Sequence, residues 1–163
     1  DLNKVLYLQW YWSPERDAGE IVDEYAAFEF APEATPDIRA AIDILEANHG
    51  HIWPIHWPTR RQYRFWKGSL GADDSTQKAV ARLEKATGHL STQARNAWRW
   101  RLLLLRARID AELAKTEGLL ATEACEKHFA ELTRIYHAQE SEYKCAPPTR
   151  ESILAMRSSE TKA

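Results

Sequence analysis

Apolar residues recur every three to four positions along most of this chain, and a helix-breaking residue ends each run. Ile38, Ala41, Ile42 and Leu45 show the pattern, which places four side chains on one face of an α-helix. No long stretch alternates apolar and polar residues, and no Asn-Gly or Asp-Gly hairpin signal is present. The sequence therefore predicts an all-α fold, an irregular bundle of five to seven helices with one long aromatic and proline-rich loop.

Capping and breaking residues predict the helix boundaries in the first part of the chain. Asp1 can cap a first helix that ends near Trp12, before Ser13-Pro14. Asp17 and Glu20 have the spacing of a capping box and open a second helix. The face that this helix turns inward is predicted to consist of Ile21, Val22, Tyr25, Ala26 and Phe28.

The same signals predict the later helices. Thr35 with Pro36 starts a helix that Gly50 stops, and Asp73 or Asp74 starts one that Gly88 stops. Ser91 is predicted to cap the longest helix, residues 92–115, whose wide apolar stripe indicates a central helix with several neighbours. That stripe comprises Trp98, Leu102, Leu103, Leu104, Leu105, Ile109 and Leu113.

Thr122 opens the last long helix, and Pro147-Pro148 ends the predicted single domain, residues 1–148. The inward face of this helix is predicted to contain Cys125, Phe129, Leu132, Ile135 and Tyr136. Residues 149–163 are predicted as a short terminal helix or a flexible tail. The two cysteines match no metal or redox spacing, so free thiols and a single bridge between Cys125 and Cys145 both remain open.

Composition narrows the function classes. A formal net charge of −2 argues against a protein that binds nucleic acid by neutralising phosphates. No apolar run approaches the roughly 20 residues of a membrane span. No G-x-S-x-G elbow, phosphate loop or dinucleotide fingerprint is present, so we predict no cofactor and no catalytic residues within this chain.

Residues 49–68, HGHIWPIHWPTRRQYRFWKG, are the most unusual stretch of the chain. Indole rings can stack on the apolar faces of sugars, and arginine can hold a carboxylate through two hydrogen bonds. The stretch therefore predicts a carbohydrate-binding surface, and the alternative is that its rings anchor the loop on the bundle. The candidate residues in the loop are Trp53, His56, Trp57, Arg60, Arg61, Tyr63 and Trp66.

Two other groups of side chains have competing interpretations. His49, His51 and His56 could bind zinc with Glu46 or Asp43, but the spacing lacks the regularity of known zinc motifs, and we predict no metal site. Four arginines between residues 95 and 106 resemble a nucleic-acid helix. The overall acidic balance instead favours a solvated helix flank with ion pairs, formed by Arg95, Arg99, Arg101 and Arg106.

Residues 1–33, DLNKVLYLQWYWSPERDAGEIVDEYAAFEFAPE, carry a family resemblance. The run D-x-N-K, then W-x-P, then E-I-V-D-E-Y and F-x-F resembles α-glucuronidase-like glycoside hydrolases of bacteria. In that family the pattern marks the exit from a catalytic (β/α)8 barrel into a C-terminal helical domain. Beyond residue 33 the likeness is only general: helical, and rich in tryptophan and arginine.

The resemblance implies a helical domain that packs on a barrel and lends residues to its substrate cleft. Asp1, Asn3 and Lys4 match the start of the pattern and would lie nearest the cleft, while Trp10 and Trp12 match the aromatic positions before the proline. The chain contains no barrel, so the catalytic carboxylates of the family are missing from it. A periplasmic or extracellular location is also implied.

Two functions are therefore expected, and the chain, which opens at Asp1 in mid-pattern, is expected to be a piece of a larger protein. The first is a non-catalytic C-terminal domain of a glycoside hydrolase-like protein, which supports a barrel and contributes to a site for an acidic or acetylated sugar. The alternative is a stand-alone interaction module that docks a partner protein through its Trp/Arg-rich loop, since these residues are common interface anchors.

Overall fold

Seven α-helices and one 3₁₀ turn make up most of the computed structural model, which describes residues 2–48, 74–115 and 122–139. No strand occurs within these ranges, and the predicted all-α bundle is confirmed. The 3₁₀ turn spans Pro32–Ala34, between the second and third helices. The helices are α1 (Leu2–Trp12), α2 (Ala18–Glu29), α3 (Thr35–Asn48), α4 (Ser75–Thr87), α5 (Thr92–Asn96), α6 (Trp98–Ala114) and α7 (Glu123–Ala138).

The first two helices form a hairpin around the predicted break at Ser13-Pro14. The side chain of Asp17 caps α2 by accepting a 3.1 Å hydrogen bond from the backbone N–H of Glu20. This bond satisfies one of the N–H groups that the first turn of a helix leaves without a helical partner. The predicted start of this helix is therefore confirmed, through the Asp17 half of the capping box.

The predicted inward face of α2 is correct at four positions and wrong at Phe28. Ile21, Val22 and Ala26 are buried and Tyr25 is half-buried, but Phe28 is 88% exposed. Phe28 lies in the last turn, at the flank of the apolar face. Its inward place is taken by Phe30, one residue beyond the helix.

The start of α3 differs from the prediction. Thr35 already has helical backbone angles (φ −52°, ψ −47°), so it does not cap the helix. Its hydroxyl donates a 3.2 Å hydrogen bond back to the carbonyl of Ala31, because the 3₁₀ turn leads directly into the helix. The predicted inward residues of α3 are confirmed as buried: Ile38, Ala41, Ile42 and Leu45.

The single long helix predicted for residues 92–115 is two helices. Ser91 caps α5, accepting a 3.1 Å hydrogen bond from the backbone N–H of Ala94. Ala97 then adopts an extended backbone (φ −61°, ψ 137°) and ends the short helix before α6 begins. Alanine is the best helix former, so local propensity gives no sign of this break, and tertiary packing overrides it.

Two clusters of buried side chains form the core, and α6 contributes to both. Trp100 and Ala107 of α6 join the first cluster with residues of α2, α3 and α4. The second lies between α6 and α7 and contains Leu105, Ile109, Leu113, Cys125, Phe129, Leu132 and Ile135. The wide apolar stripe therefore predicted the central position of this helix correctly.

Three of the remaining predicted helix boundaries lie within the described residues: the start and the end of α4 and the start of α7. Asp74 precedes α4 and Gly88 follows it, as expected from the sequence. Thr122 accepts a 3.1 Å hydrogen bond from the backbone N–H of Cys125 at the start of α7. Several predictions fall outside the described residues. They concern the helix stop at Gly50, the alternative helix start at Asp73, the inward side chain of Tyr136, a bridge to Cys145 and the domain end at residue 148.

Candidate functional site

Two of the ten residues predicted to bind substrate are described. Asn3 and Lys4 lie in the first turns of α1, and both are exposed. The other eight lie outside the described residues, so their sugar-binding role stays a prediction: Asp1, Trp53, His56, Trp57, Arg60, Arg61, Tyr63 and Trp66.

The histidines considered for a metal site, His49, His51 and His56, also lie outside the described residues. One carboxylate considered with them is described. Asp43 accepts hydrogen bonds of 2.9 and 3.1 Å from Nε of Arg39, one turn earlier on α3. Within residues 2–48, 74–115 and 122–139, no group of three or more His, Cys, Asp or Glu side chains could hold a metal ion.

An exposed aromatic surface continues from Asn3 and Lys4 along α1. Residues four apart on a helix lie one above the other, so six side chains form two adjacent columns. One column is Asn3, Tyr7 and Tyr11, and the other is Lys4, Leu8 and Trp12. We call these six residues the α1 outer face.

Beyond Asn3 and Lys4, the α1 outer face is far more apolar than the solvent-facing side of a helix normally is. The exposed fractions are 73% for Tyr7, 58% for Leu8, 73% for Tyr11 and 80% for Trp12. The rings of Tyr11 and Trp12 meet edge to face, with centroids 5.6 Å apart. Four large apolar side chains are thus presented together on one side of one helix.

Polar contacts hold α1 in place while this face stays exposed. The indole Nε1 of Trp10 donates a 3.0 Å hydrogen bond to the carbonyl of Arg16. The Arg16 guanidinium donates in turn to Gln9 Oε1 at 3.0 Å and to Glu24 Oε1 at 2.6 Å. The hydrogen bond to Glu24 raises the pKa of Arg16. Arg16 therefore ties the end of α1 to α2.

The two tryptophans named by the resemblance thus have different surroundings. Trp10 is 40% exposed and its polar atom is bound to the turn, whereas Trp12 is 80% exposed at the end of the outer face. On the inner side of the same helix, Leu2 and Leu6 pack against the first core cluster. The helix is anchored along one side and presents aromatic surface along the other.

A pocket of about 190 Å³ lies between α1, α2, α3 and α6. Its apolar lining consists of Leu2, Phe30, Ile42, Leu45 and Leu103. Phe30 is fixed by edge-to-face contacts with Tyr25 (centroids 6.0 Å apart) and Trp100 (5.4 Å apart). The Phe30 ring thus forms the aromatic wall of the pocket and packs against two further rings.

The polar groups of the pocket are Tyr25, Glu46, Arg99 and Arg106. Burial, and secondly the charge of Glu29, raise the pKa of Tyr25 to about 12, while Arg99 opposes the shift. Tyr25 is therefore a neutral hydroxyl at physiological pH, able to donate and accept a hydrogen bond.

Each of the two arginines has an acidic neighbour outside the pocket lining. Nε of Arg99 lies 3.6 Å from Glu29 Oε2, and Nε of Arg106 donates 3.0 Å hydrogen bonds to both oxygens of the fully buried Asp110. The guanidinium of Arg99 also stacks over the Trp98 ring at 4.3 Å. The ion pairs predicted for this helix flank are found at Arg99, at Arg106 and at Arg101, which pairs with Glu131. Arg95 donates a hydrogen bond to the backbone carbonyl of Leu90, so the prediction is confirmed for three of the four arginines. Arg99 and Arg106 also line a pocket that the sequence did not indicate.

Comparison with known proteins returned no family model, no curated protein and no solved structure that matches the chain. None of the described helices combines the length and the apolar character needed to cross a bilayer. Among the described residues, the candidate functional features are the α1 outer face and the pocket beside the first turn of α1.

Proposed function

We propose that this chain is a non-catalytic helical domain of a glycoside hydrolase-like protein, and that the α1 outer face packs on a catalytic barrel. The observation that carries the proposal is the alignment of Asn3 and Lys4 with Tyr7, Leu8, Tyr11 and Trp12 in two columns. The residues that the family resemblance assigns to the barrel junction thus share one face with the most exposed aromatic side chains of the helix.

The energetics of this face favour a covered state. Burial of a large apolar side chain contributes roughly 1.5–3 kcal/mol relative to exposure, and four such side chains lie together here. Tyrosine and tryptophan are also the residue types that most often anchor protein interfaces. Asn3 and Lys4 supply polar contacts at the end nearest the proposed cleft.

A sugar site is the finer part of the proposal. Residues of the junction and of the loop would together complete a pocket for an acidic or acetylated sugar. The junction residues are Asp1, Asn3 and Lys4, and the loop residues are Trp53, His56, Trp57, Arg60, Arg61, Tyr63 and Trp66. Indoles would stack on the sugar ring, imidazole would bind hydroxyls and guanidinium would hold a carboxylate. Proton transfer would rest on a carboxylate pair in the barrel.

A titration of intrinsic tryptophan fluorescence with neutral, acetylated and uronic-acid oligosaccharides tests the sugar site. We expect a saturable change that is selective for uronates and is lost in Trp57→Ala. Trp12→Ala, on α1, serves as the matched tryptophan control and should retain the response. If no glycan changes the fluorescence, or if both variants lose the response alike, the loop is not a sugar site.

The second candidate function is a stand-alone interaction module, which the same exposed face of α1 also favours. For this alternative the sequence predicts docking through the Trp/Arg-rich loop. Phe28, 88% exposed on α2, adds a further aromatic side chain outside that loop. The coding sequence upstream of Asp1 distinguishes the two candidates. A series of alternating strand and helix patterns supports the barrel, and a start codon next to Asp1 supports the module.

A further inference from the structure

The pocket between α1, α2, α3 and α6 has the dimensions of a site for a small ring. Its volume of about 190 Å³ exceeds the roughly 150 Å³ of an engineered apolar cavity that binds benzene. It is smaller than the roughly 300–1,000 Å³ typical of sites for drug-sized ligands. Its walls, formed by Phe30, Leu45 and Leu103 among others, suit one aromatic ring.

Charges of both signs surround this apolar space. Arg99 and Arg106 lie seven residues apart on α6, two helical turns along the same face, with Leu103 between them. Glu46 lies in the last turn of α3 and is exposed. Tyr25 adds a neutral hydroxyl to the wall.

We propose that the pocket binds a small molecule that joins one apolar ring to a carboxylate and an ammonium group, as an aromatic α-amino acid does. The ring occupies the space between Phe30 and Leu103. The carboxylate bonds to the guanidinium of Arg99, and the ammonium group bonds to the carboxylate of Glu46.

Charge complementarity selects this class of ligand over simpler ones. A purely anionic ligand would lie beside Glu46, and a purely cationic ligand would lie beside two guanidinium groups. Only a ligand with both charges matches both sides of the pocket. A guanidinium has five N–H donors, so the contact of Arg99 with Glu29 is compatible with a second carboxylate partner. The proposal does not depend on the barrel or on a sugar site.

Isothermal titration calorimetry on the 163-residue chain tests the ligand class. The four probes are L-phenylalanine, phenylacetate, phenethylamine and glycine. We expect L-phenylalanine to bind at one site about tenfold more tightly than phenylacetate or phenethylamine, the effect of one additional charged hydrogen bond. Glycine, which lacks the ring, should show no binding. The absence of saturable L-phenylalanine binding would overturn the proposal.

Two charge variants test the contacts separately. Glu46→Gln should weaken L-phenylalanine and phenethylamine by about tenfold and leave phenylacetate unchanged or tighter. Arg99→Gln should weaken L-phenylalanine and phenylacetate and leave phenethylamine unchanged or tighter. Glu15→Gln, an exposed carboxylate in the turn after α1, is the matched control and should bind all probes like the unaltered chain.

Circular dichroism of each variant separates a lost contact from a lost fold. If both variants stay helical and the probe affinities do not change in this crossed pattern, the assigned contacts are wrong. Leu103→Trp, which fills the pocket with a larger side chain, provides a second check. It should abolish binding of all ring-bearing probes, and retained binding would place the ligand elsewhere.

Discussion

Asp37 on α3 accepts a 2.8 Å hydrogen bond from the Arg82 guanidinium on α4, although Asp37 itself is only 4% exposed. The ammonium group of Lys85 lies 2.7 Å from the other carboxylate oxygen. The bonds from Lys85 and then Arg82 lower the pKa of Asp37. A buried carboxylate thus remains charged because two cations of the neighbouring helix reach it from solvent.

We expect Asp37→Asn to lower the free energy of unfolding by about 1–2 kcal/mol, because two charge-assisted hydrogen bonds to a buried group are weakened. Asp43→Asn on the same helix is the matched control. Its ion pair with Arg39 is largely exposed, so its loss should change stability by less than about 0.5 kcal/mol. Urea unfolding followed by circular dichroism measures both, and equal losses would contradict the role of Asp37.

Acid should weaken the fold partly through Asp37. The pKa of the folded carboxyl lies below its ordinary value of 3.8, so the folded chain binds this proton less tightly than the unfolded chain. The stabilisation is therefore complete above that ordinary value and is lost as pH falls through the folded-state pKa. Glu112 should contribute to the loss of stability in acid in the same direction, because hydrogen bonds from Lys115 and then Thr122 lower its pKa in the folded chain.

The stability difference between the unaltered chain and Asp37→Asn should therefore be constant from pH 7 to about pH 5. Below about pH 4 it should shrink. Urea unfolding of both chains over this range measures the difference. A difference that grows in acid would mean that Asp37 is not stabilised in its charged form.

The two core clusters should unfold together, because α6 belongs to both. Leu83 lies in the first cluster and Leu113 in the second, and neither has any exposed surface. Leu83→Ala and Leu113→Ala should each cost about 2–5 kcal/mol and shift one common transition. Tryptophan fluorescence and circular dichroism should give coincident unfolding curves. Separate transitions, each moved by only one variant, would show two independent units.

Trp10 and Trp12 should respond differently to replacement by serine. Trp12 is 80% exposed, so Trp12→Ser should change the unfolding free energy by less than about 0.5 kcal/mol. Trp10→Ser removes a hydrogen bond to the carbonyl of Arg16 and should cost about 1 kcal/mol or more. Thermal and urea unfolding of the two variants test this. The reverse order would mean that Trp12, and not Trp10, holds α1 in place.

Helical spacing and break signals predicted most of the fold, since each signal has a local physical cause. Asp17 and Ser91 cap helices as expected, because a side-chain oxygen meets a backbone N–H only three residues on. The errors at Phe28 and Ala97 have a tertiary origin. Neighbouring helices decide which flank of a helix is covered, as at Phe28. They also decide where a good helix former such as Ala97 leaves the helical conformation, and the local sequence does not specify these neighbours.

The candidate site was less predictable than the fold. The family pattern names Asn3, Lys4 and Trp12, which lie on the α1 outer face, but it does not name the exposed Tyr7, Leu8 and Tyr11. The pocket was not, since Tyr25, Glu46 and Arg99 come from three helices far apart in sequence and meet only in the folded chain. No periodic pattern signals such a meeting.

Hydroxyl-radical footprinting of the α1 outer face measures whether a barrel covers this face. Under the proposed function a barrel precedes Asp1, so the 163-residue chain is compared with a polypeptide that also carries this barrel. We expect a several-fold loss of reactivity at Tyr7, Tyr11 and Trp12 in the polypeptide that carries the barrel, with exposed His137 on α7 as the internal reference. Unchanged reactivity at these three residues would contradict the packing of α1 on a barrel.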